Sequence, residues 1–366
     1  MATKQLTLGS SLPVPNVQEL VKEPMNSIPT RFIRPDQEPP IISSDAASLL
    51  PAVPVIDLQK LQLSGESMDA AQRAKLHSAC QEWGFFQVVN HGVSSSLVEK
   101  LKIEIQEFFK LPIEEKKKFW QLPGDVEGFG NQFVISEEQK LDWADMFFMR
   151  TLPTYTRVPH LFPNLPLPLR ETLDSYALEM KKLAMTLLEE MAKALKMDAI
   201  EMRELFEEGM QCMRMNYYPP CPQPEKVIGI SPHSDISGLT ILLQVNEIEG
   251  LQIRKDGIWV PVTPLPHAFV VNIGDTMEIL SNGTYHSIEH RATVNSVKER
   301  LSIGTFYSPK LDGEVGPVRS LITRDRPALF RTVGAEEFSK SFLTVKLEGK
   351  SYVEFMRIPN GEGSVN

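Results

Sequence analysis

Two polar pairs constrain this chain more than any other feature. His233-x-Asp235 and Arg300-x-Ser302 are each spaced i, i+2 inside runs of strand-forming residues. On a strand that spacing puts both side chains on one face. Charged groups aimed inward from two distant segments need an enclosure of facing strands and something inside that satisfies them. From about residue 210 onward the sequence supplies such strands. Short β-branched and aromatic runs are separated by turn signals at Pro219-Pro220, Glu249-Gly250, Asp256-Gly257, Leu265-Pro266 and Asn282-Gly283. Close, regular spacing of this kind predicts a β-sandwich or barrel.

Upstream the pattern is different. Residues 1–50 are rich in proline and polar side chains, with a short helical stretch around Val17–Val21, and are expected to lie as an extended arm over the main body. Pro54–Leu58 and Gly84–Asn90 read as strands, and Asp69–Glu82 and Ser94–Phe109 as helices. The charge run Glu114–Lys118 reads as a solvated helix face, and Gly124–Gln132 as a loop whose Gly128-Phe-Gly130 is a poor dinucleotide fingerprint. Between Arg170 and Met197 the apolar set keeps i, i+3, i+4, i+7 spacing, which predicts an amphipathic helix of about seven turns. A final helix is expected near Ala335–Leu343. The fold class is therefore α+β with a mainly β core. Residues 1–50 form the arm, 51–205 a helical region, 206–310 the β-core and 311–366 a C-terminal cover, all in one structural unit.

Composition narrows the functional classes. A net charge of -9 over 366 residues argues against nucleic acid, whose binders carry a basic face. No apolar run approaches the ~20 residues that a membrane helix requires. The first thirty residues show no apolar signal core, so a cytoplasmic protein, a monomer without membrane partners, is expected. Cys80, Cys212 and Cys221 are scattered and form no CxxC pair, which argues against a disulfide frame or a structural zinc site.

His233 and Asp235 can both aim at one metal ion, with Ser234 turned away. The third ligand must come from a facing strand, and the β-core offers His267, His286 and His290. His267 follows Pro266 in a loop-like segment. His286 and His290 fall on one face of one predicted strand, roughly 13 Å apart, so they cannot both reach the same ion. The spacing favours His290, in an inward row with Ile288, Ala292 and Val294, over His286 beside the Asn282-Gly283 turn. Two imidazoles and one carboxylate on a triangular face suit non-haem Fe(II), with zinc as the alternative.

The second pair bears on that choice. A guanidinium fork takes a carboxylate through two parallel hydrogen bonds, and a serine hydroxyl adds a third. Arg300 and Ser302, facing the same interior with no acid but Asp235 evidently near, suit a dicarboxylate whose other end chelates iron. A serine hydrolase built on Ser231 or Ser234 lacks a GxSxG elbow. A non-catalytic binding module would not need both the triad and the Arg300/Ser302 pair.

The sequence closely resembles the plant 2-oxoglutarate/Fe(II)-dependent dioxygenases from Pro54-Val-Ile-Asp-Leu58 to about residue 310. The resemblance rests on Trp83-Gly-Phe-Phe-Gln-Val-Val-Asn-His-Gly92, Asn216-Tyr-Tyr-Pro-Pro-Cys-Pro222, His233-x-Asp235, Gly274-Asp275, Leu280-Ser-Asn-Gly283, His290-Arg291 and Arg300-x-Ser302. It implies a double-stranded β-helix (jelly roll) flanked by N-terminal helices and a C-terminal helix. It implies His233, Asp235 and His290 as catalytic iron ligands, with Asn216, Tyr218, Arg300 and Ser302 binding 2-oxoglutarate. Asp125-Val-Glu-Gly-Phe-Gly130, Leu141-Asp-Trp-Ala-Asp145 and Pro166-Leu-Pro-Leu-Arg170 look most like the subgroup containing the morphinan-alkaloid O-demethylases. The resemblance to that subgroup implies an Fe(II)-, 2-oxoglutarate- and O2-dependent oxidoreductase, with ascorbate as iron reductant. It would hydroxylate or O-demethylate a hydrophobic plant specialised metabolite through a ferryl intermediate, releasing succinate and CO2. The alternative is the same chemistry on a hormone-like acid or ester. Met146, Phe148 and Phe306 are the expected substrate-facing residues.

Overall fold

The computed structural model describes residues 12–23, 25, 27–35, 37–39, 51–62, 66–122, 125–131, 134, 136–343 and 350–359. The strands of the two main sheets, in chain order, are β1 (Val55–Asp57), β2 (Phe85–Val89), β3 (Gly128–Gly130), β4 (Asp145–Leu152), β5 (Met210–Tyr218), β6 (Ile230–His233) and β7 (Leu239–Gln244). They continue as β8 (Leu251–Lys255), β9 (Ile258–Pro261), β10 (Phe269–Ile273), β11 (His290–Ala292) and β12 (Arg300–Ser308). A large sheet has the order β1-β2-β10-β7-β12-β5-β4-β3, and a smaller one the order β6-β11-β8-β9. Apart from the parallel pair β1–β2, the neighbours in these two sheets are antiparallel. The two sheets form the jelly-roll core of an α+β fold, and the site lies between them.

Period-2 alternation decides which side chains reach that site. On β5, Met213, Met215 and Tyr217 pack into the main core, while Arg214, Asn216 and Tyr218 point the other way. On β12, Leu301, Ile303 and Tyr307 share that core, and Arg300, Ser302, Gly304 and Phe306 face the site. The long helix Leu167–Ala194 covers the apolar face of the sheet with Leu173, Tyr176, Met180, Leu187 and Met191. It begins before the expected Arg170 because a proline in the first turn sacrifices no hydrogen bond.

The region before residue 206 is not purely helical: it contributes β1 to β4, at both edges of the large sheet. Gly128-Phe-Gly130, expected in a loop, is β3, paired with Met146–Phe148 of β4. Gly128 has φ +122°, and a Cβ there would lie 2.8 Å from the Gln121 amide nitrogen and the Phe119 carbonyl, so only glycine allows this close approach. The charge run also departs from expectation. Lys117 and Lys118 pair with Glu114 and Glu115 at the surface, but Lys116 is buried and donates to the Phe109 carbonyl at 3.0 Å and to Gln18.

The described part of the arm lies against the body; residues 1–11 and 40–50 fall outside the described residues. Asn16 caps the short helix Val17–Leu20, and Val17, Ile28 and Phe32 pack with Trp143, Tyr218 and Ile230. At the other end, the helices Ala335–Leu343 and Ser351–Met356 form the cover. The buried Glu278 carboxylate anchors it through Lys350 at 2.7 Å and Arg357 at 3.0 Å.

Candidate active site

β6 and β11 pair so that His233 and His290 stand directly opposite each other. Asp235 follows two residues after His233, just past the end of β6, and its Oδ1 lies 3.6 Å from His233 Nε2 and 3.7 Å from His290 Nε2. Among the described residues these three form the group whose ligand atoms all lie within 4.8 Å of one another, a spacing suited to one ion. His286 is elsewhere: it is exposed, and the expected strand through residues 286–290 exists only from His290 onward. His267 is exposed in a turn with φ +56°.

The hydrogen bonds around the triad leave the ligand atoms free. His233 Nδ1 lies 2.8 Å from the Ser231 carbonyl, and His290 Nδ1 lies 3.1 Å from that of Ile288. A carbonyl only accepts, so each Nδ1 carries the hydrogen and each Nε2 keeps its lone pair for a metal. Burial and the neighbouring His233 lower His290 to about 4, against the opposing pull of Asp235, so its ring is neutral at physiological pH. Asp235 Oδ2 accepts 2.7 Å bonds from Thr240 Oγ1 and Asn272 Nδ2, which turns Oδ1 toward the imidazoles. Burial pushes the Asp235 carboxyl up, but His290, His233 and Asn272 outweigh it and hold the group well below the usual carboxylate range.

Arg300 and Ser302 line the same cavity as the triad. Arg300 is 2% exposed, lies over the Tyr218 ring at 5.1 Å and donates 3.0 Å to Gln244 Oε1. Its Nε has no hydrogen-bond partner, and among the described residues no carboxylate pairs with it. Burial lowers the guanidinium from its usual value, opposed by Tyr218. The Asn216 amide nitrogen is 3.4 Å from Ser302 Oγ, and its Oδ1 is also unpartnered. A buried, underused guanidinium beside a hydroxyl and an amide has the donors to receive a carboxylate. The residues present therefore fit both an iron ion and 2-oxoglutarate.

Phe306 lines this cavity with Phe85, Leu242 and Leu251. Met146 and Phe148 sit on β4 opposite Asn216 and Arg214, one strand away, and are not among the residues lining it. Sequence reasoning missed Thr240 and Asn272, although each is a polar residue interrupting an apolar strand, a usable signal. It also missed Arg214, a buried cavity-lining arginine whose Nε has no hydrogen-bond partner.

Comparison with known proteins agrees with this geometry. Residues 209–309 match the family described as the 2OG-Fe(II) oxygenase superfamily, and residues 53–165 match the non-haem dioxygenase in morphine synthesis N-terminal family. The chain is 54% identical to oxoglutarate-dependent flavonoid 7-O-demethylase 1 of Ocimum basilicum, over 96% of this chain and 93% of that protein. It is 52% identical to codeine O-demethylase of Papaver somniferum, over 96% of this chain and 98% of that one. The solved structure of JOX2 in complex with 2OG, Fe and JA superposes with a TM-score of 0.84 at 38% identity, covering 95% of this chain and 99% of that one.

Proposed function

The chain belongs to the 2OG-Fe(II) oxygenase superfamily, and on that premise we propose that it oxidises a hydrophobic plant specialised metabolite by hydroxylation or O-demethylation. Bound ferrous iron supplies the activation of O2 that couples oxidative decarboxylation of 2-oxoglutarate to oxidation of a substrate C–H bond. His233, Asp235 and His290 would hold the ion through two imidazole nitrogens and one carboxylate oxygen. Thr240 and Asn272 keep the Asp235 carboxylate turned toward it. Arg300 and Ser302, with Asn216 and Tyr218, would hold the far carboxylate of 2-oxoglutarate. Phe85, Leu242 and Phe306 supply the apolar wall that excludes water and positions the substrate, and Met146 and Phe148, one strand further along the sheet, would extend it toward a larger substrate.

The observation that carries this reading is the buried Arg300 with an unpartnered Nε, in one cavity with the His233/Asp235/His290 group. The names of relatives at 52–54% identity support O-demethylation of an aromatic or alkaloid methyl ether. The reading includes a cytoplasmic monomer, and the net charge of -9 speaks against polyanionic partners.

The test supplies purified protein with Fe(II), ascorbate and 2-oxoglutarate and offers a panel of methoxylated flavonoids and alkaloids. Succinate should appear with at least one of them, matched by formaldehyde for O-demethylation or by a hydroxylated product for hydroxylation. His233→Ala should keep the fold and release none of these. Normal succinate release by that variant would sink the assignment.

Arg214 favours a second reading. A cavity-lining guanidinium with a spare Nε would anchor a substrate carrying an acidic oxygen, as in a hormone-like acid. Turnover of carboxylic acids but not of neutral methyl ethers, abolished by Arg214→Met, would select it.

A further inference from the structure

The arm reaches the metal site from outside the barrel, at both histidine-bearing strands. On the β6 side, Arg34 Nη2 donates 2.8 Å to Asp142 Oδ1. Asp142 in turn takes Ser231 Oγ at 2.6 Å and the Ser231 amide at 3.2 Å. The Ser231 carbonyl is the group that accepts His233 Nδ1 at 2.8 Å. On the β11 side, Arg291, next to His290, donates 2.8 Å to the Glu38 carbonyl and 3.0 Å to that of Pro39. Further bonds hold the arm in place: Leu141 N to the Arg31 carbonyl at 2.8 Å, and Arg34 N to the Lys226 carbonyl at 2.9 Å.

We propose that the arm around Arg34 and Glu38 is a positioning strap for the metal centre, acting on His233 through Asp142 and Ser231 and on the His290 strand through Arg291. The physical reason lies in the ligand orientation. His233 sits at the end of a four-residue strand, where few ladder bonds fix the backbone. Its ring direction and tautomer depend on where the Ser231 carbonyl points. Asp142 grips the hydroxyl and amide of the same residue, so it restrains Ser231 from the side preceding that carbonyl, and Arg34 holds Asp142. The groups that orient a metal-binding histidine are worth 10–100-fold in affinity. Asp142 is one link further out and should fall at the low end.

This inference rests on the reading that His233, Asp235 and His290 bind the metal, so the experiment separates the two. Mn(II), a redox-stable probe, is titrated into the metal-free full-length protein, and free Mn(II) is followed by electron paramagnetic resonance. The parent is compared with His233→Ala, Asp142→Ala, Asp142→Asn, Ser231→Ala and Arg34→Ala, and the melting temperature of each metal-free protein is recorded. Asp142→Ala should weaken Mn(II) binding about tenfold and Arg34→Ala about threefold. Asp142→Asn, whose amide oxygen still accepts from Ser231, should recover part of the loss. These shifts should appear in proteins that remain folded at the assay temperature, which a merely structural role would not produce. Should Asp142→Ala fail to fold, Ser231→Ala and Arg34→Ala decide by the same criterion. Parent-like affinity in the folded Asp142 and Arg34 variants, with binding lost in His233→Ala, overturns the strap alone. Parent-like affinity in His233→Ala overturns the metal reading itself.

Discussion

His233 and His290 are directly opposed residues of antiparallel β6 and β11, with ring centroids 4.4 Å apart. That register, which shifts by one residue between His290 and Ala292, brings two imidazoles together. The third ligand, Asp235, lies beyond the end of β6, so its direction depends on the Thr240 and Asn272 bonds to Oδ2. Asn272→Ala should therefore weaken metal binding by about 10–100-fold while the protein stays folded. A Mn(II) titration of the variant checks this, and unchanged affinity would remove Asn272 from the role assigned to it.

Arg300→Ala should raise the KM for 2-oxoglutarate by on the order of 10²-fold, because truncating one partner of a buried charge pair costs about 2–5 kcal/mol. Arg300→Lys should recover only part of this, since an ammonium cannot form the two parallel bonds of the fork. Steady-state kinetics in 2-oxoglutarate at saturating substrate distinguish the outcomes. A KM equal to that of the parent would exclude Arg300 from cosubstrate binding.

Gly250 makes room for that same guanidinium. A Cβ there would stand 2.7 Å from Arg300 Cδ and 2.8 Å from the Thr293 carbonyl. Gly250→Ala should displace Arg300, raise the KM for 2-oxoglutarate severalfold and cost about 1–3 kcal/mol of stability through overpacking. Kinetics and chemical denaturation read the two effects separately.

Asp145 introduces a pH dependence remote from the metal. Burial raises its carboxyl to about 7, against 2.7–2.9 Å bonds from the Gln18 and Val17 amides at the start of the arm helix. The unfolded chain loses this proton near pH 4. Between roughly pH 4 and 7 the folded state therefore binds the extra proton, and stability falls as pH rises, by at most about 1.4 kcal/mol per pH unit from this group. Asp145→Asn should flatten that part of the curve. Urea midpoints measured from pH 4.5 to 7.5 for both proteins test it, and parallel curves would contradict the shifted carboxyl.

Much of the fold was legible because its signals are local. The long helix, the short strands around Val55–Asp57 and Phe85–Val89, and the inward row Arg300, Ser302 and Phe306 all follow from periodicity. Other features were hidden because they depend on contacts distant in sequence. Lys116 turns inward to the Phe109 carbonyl and to Gln18, which lies 98 residues earlier in the arm. Gly128–Gly130 becomes a strand only because β4 lies beside it. The segment 286–289, expected to extend the His290 strand, stays outside the ladder, so His286 turns to solvent.

By itself the sequence determined the kinds of ligand and their alternation: which residues share a face of a strand is a property of the extended backbone, independent of the surroundings. Tertiary structure alone decided which facing strands meet and in what register. It thereby set His290 directly opposite His233, placed the two polar residues that hold Asp235, and brought the arm against Asp142 and Arg291. Those outcomes depend on how sheets pack across tens of residues, and no local period encodes that distance.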